Sequence, residues 1–126
     1  MLRRRVLIGL AVAATASAVA VPLTSAASNE QGKTANITVG DDYFAPSDVT
    51  VKKGDKVKWV WSDENTDTHN VVLTSKHPKG VKASDYRSSS GAIGLTFKRK
   101  FEKPGTYGFV CTYHKSVMKV DLKVKK

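Results

Sequence analysis

The sequence predicts an all-β fold, a single sandwich or barrel, and three observations predict it. From Ala35 onward apolar and polar residues alternate with period two in short runs. Turn residues break those runs at short intervals, and no helix of convincing length is visible. With 126 residues the chain has room for one modest domain. It contains no internal repeat.

The first strand is Asn36-Ile37-Thr38-Val39, and the second is Val49-Thr50-Val51. Lys52-Lys53-Gly54-Asp55 then reads as a turn, which predicts a hairpin with the next strand. That strand, Lys56-Val57-Lys58-Trp59-Val60-Trp61, sets Val57, Trp59 and Trp61 on one face and lysines on the other, so both tryptophans belong to the core. Further strands are predicted at His69 to Thr74, Leu95 to Phe101, Thr106 to Cys111 and Met118 to Val124, with Pro104-Gly105 turning the chain between two of them. Ser75 to Gly94 is polar and rich in glycine and serine, hence a loop carrying a short irregular helix or one more edge strand.

Ahead of the domain, Met1 to Leu23 pairs the basic run Arg3-Arg4-Arg5 with an apolar stretch, the pattern of an export signal. Ser25-Ala26-Ala27 offers the cleavage site, after Ala27, and Thr24-Ser25-Ala26 obeys the same small-x-small rule one residue earlier. The alternative is an uncleaved anchor, because Val6 to Leu23 is 18 residues, close to spanning length, though Thr15, Ser17 and Pro22 dilute it. Arg4-Arg5 is a loose match to twin-arginine export. The chain therefore divides into a signal peptide, 1–27, a short polar linker, 28–34, and a folded domain, 35–126. The destination is the periplasm, a cell-wall space or the exterior, with no membrane span left after cleavage. Removing residues 1–27 lowers the formal charge from +10 to +7. The lysines fall in pairs and alternations such as Lys52-Lys53, Lys56-x-Lys58 and Lys98-Arg99-Lys100. That is the pattern of solvated strand faces, without the arginine-rich or glycine-aromatic signature of nucleic-acid binding. A positive surface also speeds encounter with an acidic partner or an anionic envelope.

The chemistry is concentrated in Cys111-Thr112-Tyr113-His114-Lys115-Ser116-Val117-Met118, where a thiol, an imidazole and a thioether share a tight loop between two strands. Cys111 is the only cysteine, so in an oxidising compartment it has no intramolecular disulfide partner. Taken singly, a cysteine is a small buried hydrophobe, a methionine is core filler and a histidine is structural. Their joint occurrence gathers sulfur and nitrogen around one point, which packing alone has no reason to do. Of the other two histidines, His69 opens a strand at a sandwich end and suits a third ligand, whereas His77 in Lys76-His77-Pro78-Lys79-Gly80 reads as exposed loop.

Nearly the whole domain resembles the cupredoxins, in particular the small plastocyanin- and pseudoazurin-like blue-copper proteins. The resemblance rests on Phe44-Ala45-Pro46, Val49 to Asp55, Val57-Lys58-Trp59-Val60, His69-Asn70-Val71-Val72, Phe101 to Tyr107, the Cys111 loop and the final strand. It implies a Greek-key sandwich of about eight strands. It also implies one type 1 copper per chain, held by His69, Cys111 and His114 and capped by Met118, with Asn70 hydrogen-bonded across to the Cys111 loop. Relatives usually separate the loop histidine and methionine by two or four residues. Here three intervene, Lys115, Ser116 and Val117, and taking Met118 as the ligand keeps Leu122 and Val124 in phase with the family's last strand.

Two imidazoles, a thiolate and a weak thioether form the trigonal set associated with electron-transfer copper, whereas structural zinc sites use more cysteine or histidine. The ligands bind deprotonated, so affinity falls in acid. Three histidines, two of them already engaged, leave too few for the second metal of an oxidase, and no other catalytic constellation is present, so the sequence does not read as an enzyme. Electron shuttling by Cu(II)/Cu(I) cycling is the reading. A copper carrier or storage protein with the same ligands is the alternative, and a sandwich that has lost copper is a third, against which all four ligands stand. Lys115 and Lys119 near the His114 edge point to an acidic redox partner. Nothing in the sequence demands more than a monomer.

Overall fold

A computed structural model describes residues 32–126, so the expected signal peptide, 1–27, and all but the last residues of the expected linker, 28–34, lie outside the described residues. Eight strands follow in order: β1 Thr34–Gly40, β2 Tyr43–Ala45, β3 Asp48–Lys52, β4 Lys56–Trp61, β5 Val72–Leu73, β6 Thr96–Lys100, β7 Gly105–Val110 and β8 Lys119–Lys125. They form two four-stranded sheets, ordered β2-β1-β4-β6 and β3-β8-β7-β5. The sole helical element among the described residues is a 3₁₀ turn at Ala83–Asp85, inside the long loop where a short irregular helix was expected.

Period-two alternation places one face of each strand in a common interior. Val57, Trp59 and Trp61 of β4 are buried, as are Val120, Leu122 and Val124 of β8 in the opposite sheet. Trp59 is the centre of this core, with its ring centroid 4.9 Å from Phe109 and 5.4 Å from Phe97. Burial of large aromatics on both inner faces is the main force holding the sheets together.

The expected hairpin between the Val49 and Lys56 strands does not form. β3 instead pairs in parallel with β8, Val51 opposite Val124, and β4 pairs in parallel with β1, Ile37 opposite Trp59. The turn is real, but it carries the chain from one sheet to the other. The apolar faces of β3 and β4 thus meet across the core instead of lying side by side. Gly54 supplies the positive φ of 92° that this crossing needs. Both oxygens of Asp55 pin it by accepting the backbone N–H groups of Lys33 and Lys52.

Three boundaries also differ from expectation. β2 is a three-residue strand, too short to show alternation, paired antiparallel to β1 through the two-residue Asp41-Asp42 loop. Only Val72–Leu73 of the His69 to Thr74 stretch joins a ladder, and His69 itself makes an isolated antiparallel bridge with Gly91. Cys111 and Met118 stand just beyond β7 and β8, where the Cys111 N–H donates to the Met118 carbonyl at 3.1 Å and closes the neck of the loop.

Tyr107 gives the fold a measurable alkaline limit. It is fully buried, its hydroxyl donates to the Lys103 carbonyl at 2.6 Å, and burial pushes its phenol up to about 12. In the unfolded chain the phenol ionises near pH 10, so between about pH 10 and 12 the unfolded state loses a proton that the native state keeps. Stability conferred by this group is complete below that window and falls as pH rises through it. Urea midpoints measured across the window should fall less steeply for Tyr107→Phe than for the parent chain, and equal slopes would contradict the assignment.

Candidate metal centre

One end of the sandwich gathers the end of β1, the segment before β5 and the β7–β8 loop. There the donor atoms of His69, Cys111 and His114 all lie within 4.8 Å of one another. Cys111 Sγ is 4.0 Å from His69 Nδ1 and 3.7 Å from His114 Nδ1. Both imidazoles therefore present the same nitrogen to one sulfur. His69 and Cys111 are wholly buried, while the His114 side chain keeps 24% of its surface exposed. The site is closed to bulk water except along that one ring edge.

His69 is held from both sides of its residue. Its backbone N–H and C=O exchange bonds with Gly91 at 3.0 and 3.1 Å, and Trp61 Nε1 donates to the Gly91 carbonyl at 3.0 Å, tying the bridge to β4. At the ring, Nε2 is 2.8 Å from Asp41 Oδ1. Asp41 also accepts from the backbone N–H groups of Thr66 and Asp67 and from the Thr66 hydroxyl. The His69 bond, followed by the one from Thr66, holds the Asp41 carboxyl well below the usual carboxylate range, so Asp41 is an ionised acceptor. Nε2 consequently carries the proton, and Nδ1 turns its lone pair towards Cys111. Sequence reasoning missed Asp41, which lies 28 residues from His69. Its only local signal was Gly40-Asp41-Asp42, a turn at the end of a strand.

The loop is shaped by its own backbone. The His114 N–H donates to the Cys111 carbonyl, and the His114 carbonyl accepts from both Val117 and Met118, the latter at 2.9 Å. Three intervening residues thus close one helical turn, which returns Met118 to the neck with its side chain fully buried. Asn70 staples the loop from outside: its Nδ2 donates to Thr112 Oγ1 and its Oδ1 accepts the Thr112 N–H, both at 2.8 Å. Asn70→Ala should cost roughly 1–3 kcal/mol of stability, because two bonds go and a part-buried N–H is left unpaired. Chemical denaturation checks this, and a loss within experimental error would remove the staple from the account.

His77, expected to be loop, makes a bond with the Pro78 carbonyl and joins no donor cluster among the described residues. The surroundings of His114 are more mixed than Lys115 and Lys119 suggest. Asp42 Oδ1 is 3.6 Å from His114 Nε2, and Asp42, Asp67 and His114 form a second close group with both carboxylates exposed. Tyr113 and Val117 are exposed on the same loop.

Residues 31–125 match the model of one family, copper binding proteins of the plastocyanin/azurin family. The chain belongs to that family. It is 36% identical over 80 residues to the plastocyanin minor isoform of Arabidopsis thaliana, a match covering 60% of this chain and 46% of that protein, so the chain spans about half the length of that relative. It is 34% identical over 107 residues to pseudoazurin of Methylorubrum extorquens, covering 83% of this chain and 67% of that one. A solved mutant plastocyanin of a fern superposes with a TM-score of 0.54 at 33% identity, covering 72% of this chain and all of that one.

The donors fit the family's metal on their own chemistry. A buried thiol without a disulfide partner faces two imidazole nitrogens, with a buried thioether closing the loop. Structural zinc sites use four cysteine or histidine donors, and only three are present here, whereas a His₂Cys set with a soft axial sulfur suits copper in both oxidation states. Copper is the cofactor.

Proposed function

We propose that the chain is an exported electron-transfer protein with one blue copper per molecule. His69 Nδ1, Cys111 Sγ and His114 Nδ1 would hold it, with the buried thioether of Met118 completing the set. The observation that carries this reading is the convergence of both Nδ1 atoms on one buried thiol, with the donors tied in place by backbone and side-chain hydrogen bonds. Copper supplies a one-electron couple when bound. The protein's part is to fix ligands that need move little when the charge changes, to exclude water, and to bring one ligand edge to the surface.

That edge is His114, and the exposed Tyr113 and Val117 beside it offer an apolar contact over which a partner can approach. Lys115 favours an acidic group on the partner, while Asp42 and Asp67 favour a basic one on the other side, so the docking face is dipolar. The protein acts as a carrier of electrons between partner proteins and not as an enzyme. Residues 1–27 serve as the export signal, 28–34 as the tether and 35–126 as the copper domain, working as a monomer outside the cytoplasm.

Voltammetry of the copper-loaded protein tests this reading. Shuttling requires a reversible one-electron wave with copper retained in both states. Loss of the ion on each reduction would instead assign the chain to copper carriage.

A further inference from the structure

The two ends of the sandwich carry opposite charge. The copper end holds Asp41, Asp42, Asp63, Glu64 and Asp67 against Lys115 and Lys119, a negative balance. At the far end the start of β1, the end of β3, the start of β4 and the ends of β6 and β8 bring together Lys33, Lys52, Lys53, Lys56, Lys100 and Lys125, all exposed. A shallow groove there is lined by Lys33, Lys52, Lys53, Asp55 and Lys125. The side-chain carboxylates at this end are Asp55 and Glu102. Asp55 is occupied with backbone N–H groups, and Glu102 makes the one ion pair found there among the described residues, with Lys100 at 2.9 Å.

The registers set these lysines against one another. Lys52 lies opposite Lys125, Lys56 opposite Lys100, and Lys58 opposite Lys98. Like charges directly opposite on an antiparallel pair are destabilising, and the two such pairs of β4 and β6, with Lys52 and Lys125 level in the parallel β3–β8 ladder, work against folding. Features that break a local rule in this way tend to be functional.

We infer that this lysine pole docks on the surface of an anionic phospholipid bilayer, leaving the copper end turned away from the membrane towards its partners. The chain enters the domain at this pole, through Lys33, and with Val6 to Leu23 kept in the membrane as the uncleaved anchor, the alternative to cleavage after Ala27, the short linker 28–34 holds this pole beside the headgroups. A lysine cluster beside such a segment is attracted by the negative potential of anionic headgroups. The pole is open and polar and, among the described residues, displays no exposed aromatic on which a nucleic-acid base could stack. With β1 seven residues long, the copper end stands about 20 Å above the headgroups.

The test is co-sedimentation of the full chain with phosphatidylcholine vesicles, with and without about 30 mol% phosphatidylglycerol, at low salt. The readout is the ratio of the two partition coefficients, which separates the charge-dependent part from whatever the apolar segment contributes. The parent chain should prefer the anionic vesicles by about tenfold or more. Lys52→Gln/Lys53→Gln/Lys125→Gln should lower that preference at least about fivefold, and Lys76→Gln/Arg87→Gln/Lys98→Gln, which removes equal charge from the flanks of the sandwich, by less than about twofold. An unchanged far-ultraviolet circular dichroism spectrum verifies that both triple variants fold. Equal losses in the two variants would reduce the effect to net charge and overturn the inference. So would a parent ratio near one, or a preference for soluble polyphosphate over the vesicles. Partition needs no bound copper, so this result and the electron-transfer reading stand or fall separately.

Discussion

Cys111→Ser is expected to abolish the intense visible absorption of the copper-loaded protein and its one-electron exchange together. Cys111 Sγ is the one atom common to both histidine contacts, at 4.0 and 3.7 Å. A hydroxyl at that place is a hard, neutral donor in a site built for a soft anionic one. The backbone bonds at the loop neck and the Asn70 staple do not involve the thiol, so the variant should stay folded and the defect should be confined to the metal. Visible absorption and voltammetry check this side by side. A variant that kept its colour would remove the thiolate from the account.

Asp41→Ala should weaken Cu(II) binding by about 10–100-fold, the usual cost of removing the group that orients a metal-binding histidine. Without the carboxylate, the buried Nε2–H of His69 has no acceptor, and the tautomer that presents Nδ1 to Cys111 loses its stabilisation. Asp41→Asn keeps an acceptor at the same place and should lose less. Competition with a chelator of known Cu(II) affinity measures both, and parent-like affinity in the alanine variant would mean that the Gly91 bridge and Trp61 position His69 without help.

How much of this was legible in the sequence depended on the range of the interaction. β4 could be read to its ends, because Val57, Trp59 and Trp61 alternate with Lys56, Lys58 and Val60 over six residues. β2 could not, since three residues carry no period, and its position is set by pairing with β1. Lys52 to Asp55 was recognisable as a turn, yet nothing local says whether a turn joins neighbours in one sheet or crosses between two. That depends on which strand the partner of Val51 comes from, and Val124 is 73 residues away. The donor residues stood out because soft donors rarely gather on a short loop for packing reasons. Asp41 did not, because a carboxylate in a turn is ordinary until the fold brings it to a histidine. The lysine pole was visible only as scattered pairs until the registers set Lys52 against Lys125 and Lys56 against Lys100.

The central claim, that His69, Cys111 and His114 hold one redox-active copper through the thiolate, is tested most directly by titrating the metal-free chain with Cu(II) while recording the visible spectrum. An intense blue thiolate-to-copper band that saturates at one copper per chain and bleaches reversibly on reduction is the predicted result. A chain that stays colourless while binding copper would contradict it.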